Sequence, residues 1–274
     1  MNVVKCDKFC IGDGSLTVLA GPCVAESLDL CMRVAEQMLE VCTKCSVNYI
    51  FKASFDKANR SSGTSFRGPG IKQGLEILQK VKERFQVPVV TDVHETEQVK
   101  DVAAVVDVLQ IPAFLCRQTD LLLACAGTGK VVNVKKGQFM APEDMKCVVQ
   151  KLRQNHTDTG VLLTERGTSF GYHNLVVDMR GLQTMAELGQ PVIFDATHSV
   201  QLPGGLGSAS GGQREFIRSL TRGATAVGID GLFMEVHPDP DHALSDGPNS
   251  LNFEQAKSIL EESKAIHDLV RSLR

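Results

Sequence analysis

The sequence has no apolar run approaching the ~20 residues that a membrane-spanning helix needs, which excludes a helical membrane protein. It has no excess of charge either. Its 29 Lys and Arg stand against 32 Asp and Glu, and a net charge of −3 creates no field that would draw nucleic acid or a membrane surface. Any anionic ligand must therefore be held by local Lys and Arg. Residues 1–15 lack the continuous apolar segment of a secretory signal. The nine cysteines are odd in number and scattered, the pattern of reduced thiols in a cytoplasmic protein and not of a disulfide framework. The Asn-x-Ser/Thr triplets at Asn59 and Asn155 then read as chance. No linker or shift in composition divides the 274 residues, so the expectation is one domain over 1–274.

What is present is an alternation of two textures. Short β-branched runs stand at Leu16–Ala20, Asn48–Lys52, Pro88–Thr91, Val106–Gln110, Val131–Val134, Val161–Leu163, Val192–Phe194 and Gly231–Glu235. Amphipathic helical patterns follow near 27–45, 70–85, 95–104, 118–128, 142–154, 178–188, 212–223 and 253–271. Eight strands alternating with eight helices is the count of a (β/α)8 TIM barrel, an α/β fold. A doubly wound open sheet shares the alternation, but its Gly-x-Gly-x-x-Gly turn is missing after the first strand, where Ala20-Gly21-Pro22-Cys23 stands. Residues 1–15, with Gly12-Asp13-Gly14 as a turn, read as a short N-terminal hairpin.

A barrel places its chemistry just beyond the strands. Polar residues collect at every such point: Cys23, Lys52 and Ser54, Asp92 and His94, Gln110, Asn133 and Lys135, Glu165 and Arg166, Asp195 and His198, Glu235 and His237. One sector has the makings of a metal site. Cys23, His198 and Glu235 follow strands one, seven and eight, which are neighbours once the barrel closes, and Asp246 lies in the loop beyond. A thiolate, an imidazole and two carboxylates suit Zn, Fe(II), Mn or Co. Spacing alone is equally compatible with a buried structural Cys23 and a hydrogen-bonded His198. The opposite sector is basic, with Lys52, Lys57, Arg60, Arg117, Lys135 and Arg166, and suits a phosphorylated substrate. The Gly-rich stretch 203–212 reads as a mobile loop over the site. Gly127-Thr128-Gly129-Lys130 is not a P-loop, since Ala124 holds the early Gly position and a strand follows. Cys42-Thr43-Lys44-Cys45 is a lone CxxC of structural thiols.

Longer blocks carry more. The run Lys52-Ala53-Ser54-Phe55-Asp56-Lys57-Ala58-Asn59-Arg60-Ser61-Ser62 resembles the signature of the 3-deoxy-D-manno-octulosonate 8-phosphate (Kdo-8-phosphate) synthase family. So do 112–120 (Pro-Ala-Phe-Leu-Cys-Arg-Gln-Thr-Asp), Asn133-Val134-Lys135-Lys136, Phe170-Gly171-Tyr172 and Asp195-Ala196-Thr197-His198, in order along almost the whole chain. The resemblance implies a cytoplasmic, homotetrameric barrel that condenses phosphoenolpyruvate with D-arabinose 5-phosphate and releases phosphate, on the route to the Kdo of lipopolysaccharide. Cys23 resembles the metal-dependent branch of the family, whose other branch carries Asn there. The implied metal ligands are Cys23, His198, Glu235 and Asp246, with Cys23, His198, Asp246 and Lys135 as the catalytic set.

By the same resemblance, Lys52, Ser54 and Lys57 contact the phosphoenolpyruvate carboxylate, and Lys135 and Arg166 hold its phosphate. Asn59, Arg60 and Ser61 bind the sugar, while Arg117 reaches its phosphate across a subunit interface. Asp92, Gln110, Ala113 and Gln201 complete the substrate surroundings. One departure stands in the signature loop: Gly63-Thr64 replace a common Ile-His. Two other readings compete. A related heptulosonate phosphate synthase would use erythrose 4-phosphate, but usually carries Lys-Pro-Arg-Thr in place of the block around Arg60. A sugar-phosphate-binding protein without turnover would have no need of the intact set Cys23, His198, Glu235, Asp246, Lys135 and Arg166.

Overall fold

Eight parallel strands, each followed by a helical segment, close on themselves in the computed structural model, which describes residues 2–60, 62–205 and 210–273. The barrel strands are β3 (Thr17–Gly21), β4 (Asn48–Lys52), β5 (Val89–Asp92), β6 (Val108–Ile111), β7 (Val131–Lys135), β8 (Val161–Glu165), β9 (Val192–Asp195) and β12 (Gly231–Glu235). Strand β12 pairs with both β9 and β3, which closes the cylinder. The helices are α1 (Leu28–Lys44), α2 (Ile71–Phe85), α3 (Val99–Val105), α4 (Thr119–Ala126), α5 (Met145–Arg153), α6 (Met179–Glu187), α7 (Ile217–Val227) and α8 (Phe253–Ser272). Ser27 caps α1 by accepting from the Leu30 N–H, and Asn252 and Gln255 form a reciprocal capping box on α8. Helices α3, α5 and α7 are preceded by single 3-10 turns, which lie within the expected helical stretches.

Strand residues alternate between two faces, and the two faces have separate cores. The outward face packs against the helices: Val18, Phe51, Val89, Leu109, Val132, Leu163, Phe194 and Met234 share one cluster with Met38, Leu78, Met145 and Leu260. The inward face is a second cluster of Leu19, Ile50, Val90, Val108, Val131, Leu162, Ile193 and Phe233. One step of two residues along each strand, the inward positions become Gly21, Lys52, Asp92, Gln110, Asn133, Thr164, Asp195 and Glu235. All eight are buried. The barrel interior thus switches from wholly apolar to almost wholly polar across one ring. The exception, Gly21, is dictated by space: a Cβ there would lie 1.9 Å from the backbone oxygen of Lys52.

The N-terminal hairpin is β1 (Val4–Cys6) paired with β2 (Phe9–Ile11). Its reversal is not at Gly12-Asp13-Gly14 but at Asp7-Lys8, with Asp7 in the left-handed region at φ 50°. Asp tolerates that region better than most residues. Gly12 and Gly14, at φ 87° and 109°, instead bend the chain from the hairpin into the barrel. Val4, Cys6 and Ile11 join the inward apolar cluster, so the hairpin closes the lower end of the barrel. Residues 206–209 of the expected loop over the site lie outside the described residues. The segments flanking them, β10 (Gln201–Leu202) and β11 (Gly211–Gly212), pair antiparallel.

Candidate active site

The upper end of the barrel opens into a cavity of about 410 Å³ whose wall includes Lys52, Lys57, Arg60, Lys135, Arg166 and His198. On its β12–β3 side, ligand atoms of Cys23, Glu235 and Asp246 lie within 4.8 Å of one another. Glu235 ends β12 opposite Gly21 of β3, and Cys23 follows two residues later. Asp246 reaches back from the loop after β12 with a left-handed backbone (φ 50°), and its carbonyl accepts from the Asn249 and Ser250 N–H groups. The fourth expected ligand, His198, stands beside the group of three. Its Nε2 is 3.5 Å from Glu235 Oε1 and 3.7 Å from Asp246 Oδ2.

This donor set fits a divalent ion. Glu235 is fully buried, and its Oε2 has no hydrogen-bond partner while Oε1 accepts from Lys52 at 3.0 Å. An orphaned buried carboxylate oxygen is costly unless something cationic meets it. Burial, then the Asp246 and Glu235 carboxylates, push the Cys23 thiol well above its ordinary value, so in the metal-free chain it is a thiol, 3.4 Å from Asp246 Oδ2. Asp195, which the candidate set did not include, orients His198. Its carboxylate lies 2.8 Å from Nδ1, leaving Nε2 toward Glu235 and Asp246.

The basic side is built on the same ring. Lys135 Nζ is 2.6 Å from Asp195 Oδ2 and sits 3.6 Å over the Phe233 ring. Burial pulls the Lys135 ammonium down, and Asp195 opposes it. Burial would raise the Asp195 carboxyl, but His198 and Lys135 outweigh this and hold it well below the carboxylate range. Arg166 donates Nη2 to Gln201 Oε1 at 3.0 Å, whereas its buried Nη1 has no partner. Lys52 donates to Cys23 O and Glu235, and Lys57 Nζ is 3.9 Å from Glu235.

Around the β4–β8 arc the ring is a hydrogen-bonded series. Ser54 Oγ donates to Asp92, Gln110 donates to Asp92 at 2.6 Å, Asn133 to Gln110 at 2.9 Å and Thr164 to Asn133 at 2.6 Å. Burial would raise the Asp92 carboxyl, but Lys52 and Lys57 dominate and keep it ionised. Ala113 also lines the cavity.

Nearer the rim, Arg60 is tied down from three sides. It donates Nε to Phe66 O at 3.2 Å and Nη2 to Leu244 O at 3.1 Å, and its Nη1 is 3.6 Å from Asp246. Asn59 and Gln201 line the same cavity. Ser61 lies outside the described residues. Arg117 is exposed on the turn after β6 and does not line its own chain's cavity; only its backbone oxygen is engaged, by Lys151. Three polar members of the inward ring were absent from the candidate set: Asp195, Asn133 and Thr164. Each occupies the same inward register as a chosen neighbour, which was the available clue.

A model of the DAHP synthetase I family matches residues 2–271 of the chain. The chain is similar to a 2-dehydro-3-deoxyphosphooctonate aldolase of Cyanothece sp., at 60% identity over 257 residues, 93% of this chain and 94% of the relative. It is 58% identical over 261 residues to the protein of that name from Citrifermentans bemidjiense, covering 95% of each. With that of Syntrophotalea carbinolica it shares 58% over 260 residues, 95% of this chain and 94% of the relative.

Proposed function

This chain belongs to the DAHP synthetase I family, and we propose that it catalyses the 3-deoxy-8-phosphooctulonate synthase reaction. Phosphoenolpyruvate, D-arabinose 5-phosphate and water give 3-deoxy-D-manno-octulosonate 8-phosphate and inorganic phosphate, a transferase step of Kdo and lipopolysaccharide biosynthesis. The names of the 58–60% identical relatives support it. Within the fold, the observation that carries it is the buried Arg166 guanidinium with an unpartnered Nη1, on a cavity wall it shares with buried Lys135. Two buried cations, one with an unmet donor, call for a small multiply charged anion such as a phosphoryl group.

Lys135 and Arg166 hold the phosphate of phosphoenolpyruvate, and Lys52, Ser54 and Lys57 its carboxylate, with Asp92, Gln110 and Ala113 around it. Asn59, Arg60 and Ser61 bind the sugar, and Gln201 supports Arg166 through the hydrogen bond it accepts. Carbon three of the enol attacks the aldehyde carbon, water adds to carbon two, and the tetrahedral intermediate expels phosphate by carbon–oxygen cleavage. Fixed cations at Lys52 and Lys135 stabilise the charge that develops. His198 or Asp246 takes the proton that the water gives up, and the former aldehyde oxygen gains one to become a hydroxyl. Cys23, His198, Glu235 and Asp246 would hold a divalent ion (Zn, Fe(II), Mn or Co). When bound, such an ion polarises an oxygen and makes a water more acidic.

The whole of 1–274 acts as one domain in the cytoplasm. Self-association into a homotetramer completes the site through Arg117. The exposed Phe114, Phe139, Phe170 and Tyr172 on the loops after β6, β7 and β8 support a subunit contact there. No described helix is long and apolar enough to cross a membrane.

The test is phosphate release from phosphoenolpyruvate, with arabinose 5-phosphate and separately with erythrose 4-phosphate, before and after chelation and after divalent ions are restored. Release with the five-carbon sugar that stops on chelation and returns with metal is expected. Release only with erythrose 4-phosphate would make the chain a heptulosonate phosphate synthase. Binding without release would make it a sugar-phosphate-binding protein.

A further inference from the structure

The series Thr164–Asn133–Gln110–Asp92 comes from four adjacent strands, β8, β7, β6 and β5, and every member is at most 8% exposed. Its direction follows from chemistry. An ionised carboxylate can only accept hydrogen bonds. Asp92 stands among Lys52, Lys57 and Lys135 and is therefore an acceptor, so Gln110 must turn its amide nitrogen toward it. The Gln110 carbonyl then faces Asn133, which must in turn present its own nitrogen. That leaves the Asn133 carbonyl facing Thr164, whose hydroxyl must donate. Each donor is consumed once, and each flip of an amide would set two acceptors or two donors against each other.

Gln110 Nε2 carries two hydrogens, and Asp92 takes one. Among the described residues no partner takes the second, and Gln110 helps form the wall of the cavity with Lys52, Lys135 and Arg166. An amide presents either a donor or an acceptor to a ligand, and the two are nearly the same shape. For an anion the difference is attraction or repulsion.

We propose that Asn133 and Thr164 are positioning residues which hold the Gln110 amide so that it offers N–H, and never its carbonyl, to phosphoenolpyruvate. The inference rests on the phosphoenolpyruvate reading above. Neither residue touches the ligand. Asn133 occupies the Gln110 carbonyl, and Thr164 occupies that of Asn133. Without the Asn133 donor, the buried Gln110 carbonyl loses its partner, and nothing then holds the amide in the donor-out orientation except Asp92.

Steady-state kinetics of Asn133→Leu, Thr164→Val and Thr164→Ser test this, with folding checked by circular dichroism. Asn133→Leu should raise the KM for phosphoenolpyruvate about tenfold, and Thr164→Val about threefold, the scale of a lost hydrogen bond. The KM for arabinose 5-phosphate should stay within about twofold, kcat should fall less than KM rises, and Thr164→Ser should behave as the parent. Thr164→Val is isosteric, so it carries the test if Asn133→Leu fails to fold. Folded variants with parental KM for phosphoenolpyruvate, or with both KM values raised together, would overturn the proposal. The parent enzyme is the control for the underlying reading: if it releases no phosphate with either sugar, that reading fails first and this one with it.

Discussion

Lys136 and Glu165 face each other 3.6 Å apart in the protein interior, and each is the immediate sequence neighbour of a cation that faces the cavity. Alternation along β7 and its continuation turns Lys135 inward and Lys136 away; at β8 it turns Glu165 away and Arg166 inward. Lys136 Nζ also donates to Gly137 O, Met140 O and Thr168 Oγ1, at 3.2, 3.3 and 3.2 Å. Glu165 Oε1 accepts from the Arg166 and Gly167 N–H groups at 3.0 and 2.7 Å. The pair fastens two adjacent strand ends and so fixes the spacing between Lys135 and Arg166.

Removing one member strands the other. Lys136→Met should cost about 3–5 kcal/mol in urea unfolding, because Glu165 keeps a buried charge with no countercharge. Burial already raises the Glu165 carboxyl and Lys136 opposes it, so the double variant Lys136→Met/Glu165→Gln should recover part of the loss. A double variant no more stable than Lys136→Met would show that the two residues are not coupled.

Cys23→Ala should strip the divalent ion. After dialysis the parent is expected to retain metal and the variant to retain nearly none, measured by atomic emission, with most turnover lost alongside. Full turnover by a metal-free Cys23→Ala protein would remove Cys23 from the site.

Arg60→Ala should weaken binding of the sugar far more than that of phosphoenolpyruvate. The bonds of Arg60 to Phe66 O and Leu244 O tie it to the loops around Phe66 and Leu244. We expect the KM for arabinose 5-phosphate to rise by about 10–100-fold, as for a lost charge-assisted contact, with that for phosphoenolpyruvate little changed. An unchanged KM for the sugar would sink the assignment.

Alkali should destabilise the fold through three cysteines remote from the mouth. Burial pushes the Cys6, Cys31 and Cys125 thiols up to about 12. Below about pH 8.5 both folded and unfolded chains keep these protons, so the thiols add no pH dependence. Above it the unfolded chain ionises while the folded chain does not, and stability falls as pH rises until the folded thiols also ionise near 12. Each thiol contributes a loss of about 1.4 kcal/mol per pH unit in that window. Urea midpoints between pH 8 and 10 measure the slope, and Cys31→Ala should reduce it by one thiol's share. An identical slope in the variant would locate the effect elsewhere.

The barrel was legible because its strands are apolar on both faces and its helices are not. Asn48–Lys52 and Gly231–Glu235 agree with expectation at both ends. Elsewhere the apolar pattern ends before the ladder does: β5, β7, β8 and β9 run on into Asp92, Lys135, Glu165 and Asp195. Those side chains are polar, but their backbones still pair with the next strand, and pairing leaves no mark on hydropathy. The hairpin reversal was misplaced because Gly-Asp-Gly is a stronger turn pattern than Asp7-Lys8, whose αL backbone only the fold reveals. At the mouth, strand ends gave the residue types. They could not give distant partners: Asp195 meets His198 three residues on, but it reaches Lys135 only because β7 and β9 both flank β8.

Among the described residues, Val4, Cys6 and Ile11 plug the lower end of the barrel and leave the upper end as its door. Whatever reaches the floor has to pass the rim, and whatever is made there has to leave by the way it came. The cations at Lys135 and Arg166 and the guanidinium of Arg60 line one cavity and share that entrance. Traffic through the mouth is thus confined from the far end of the barrel, by three apolar side chains of the hairpin.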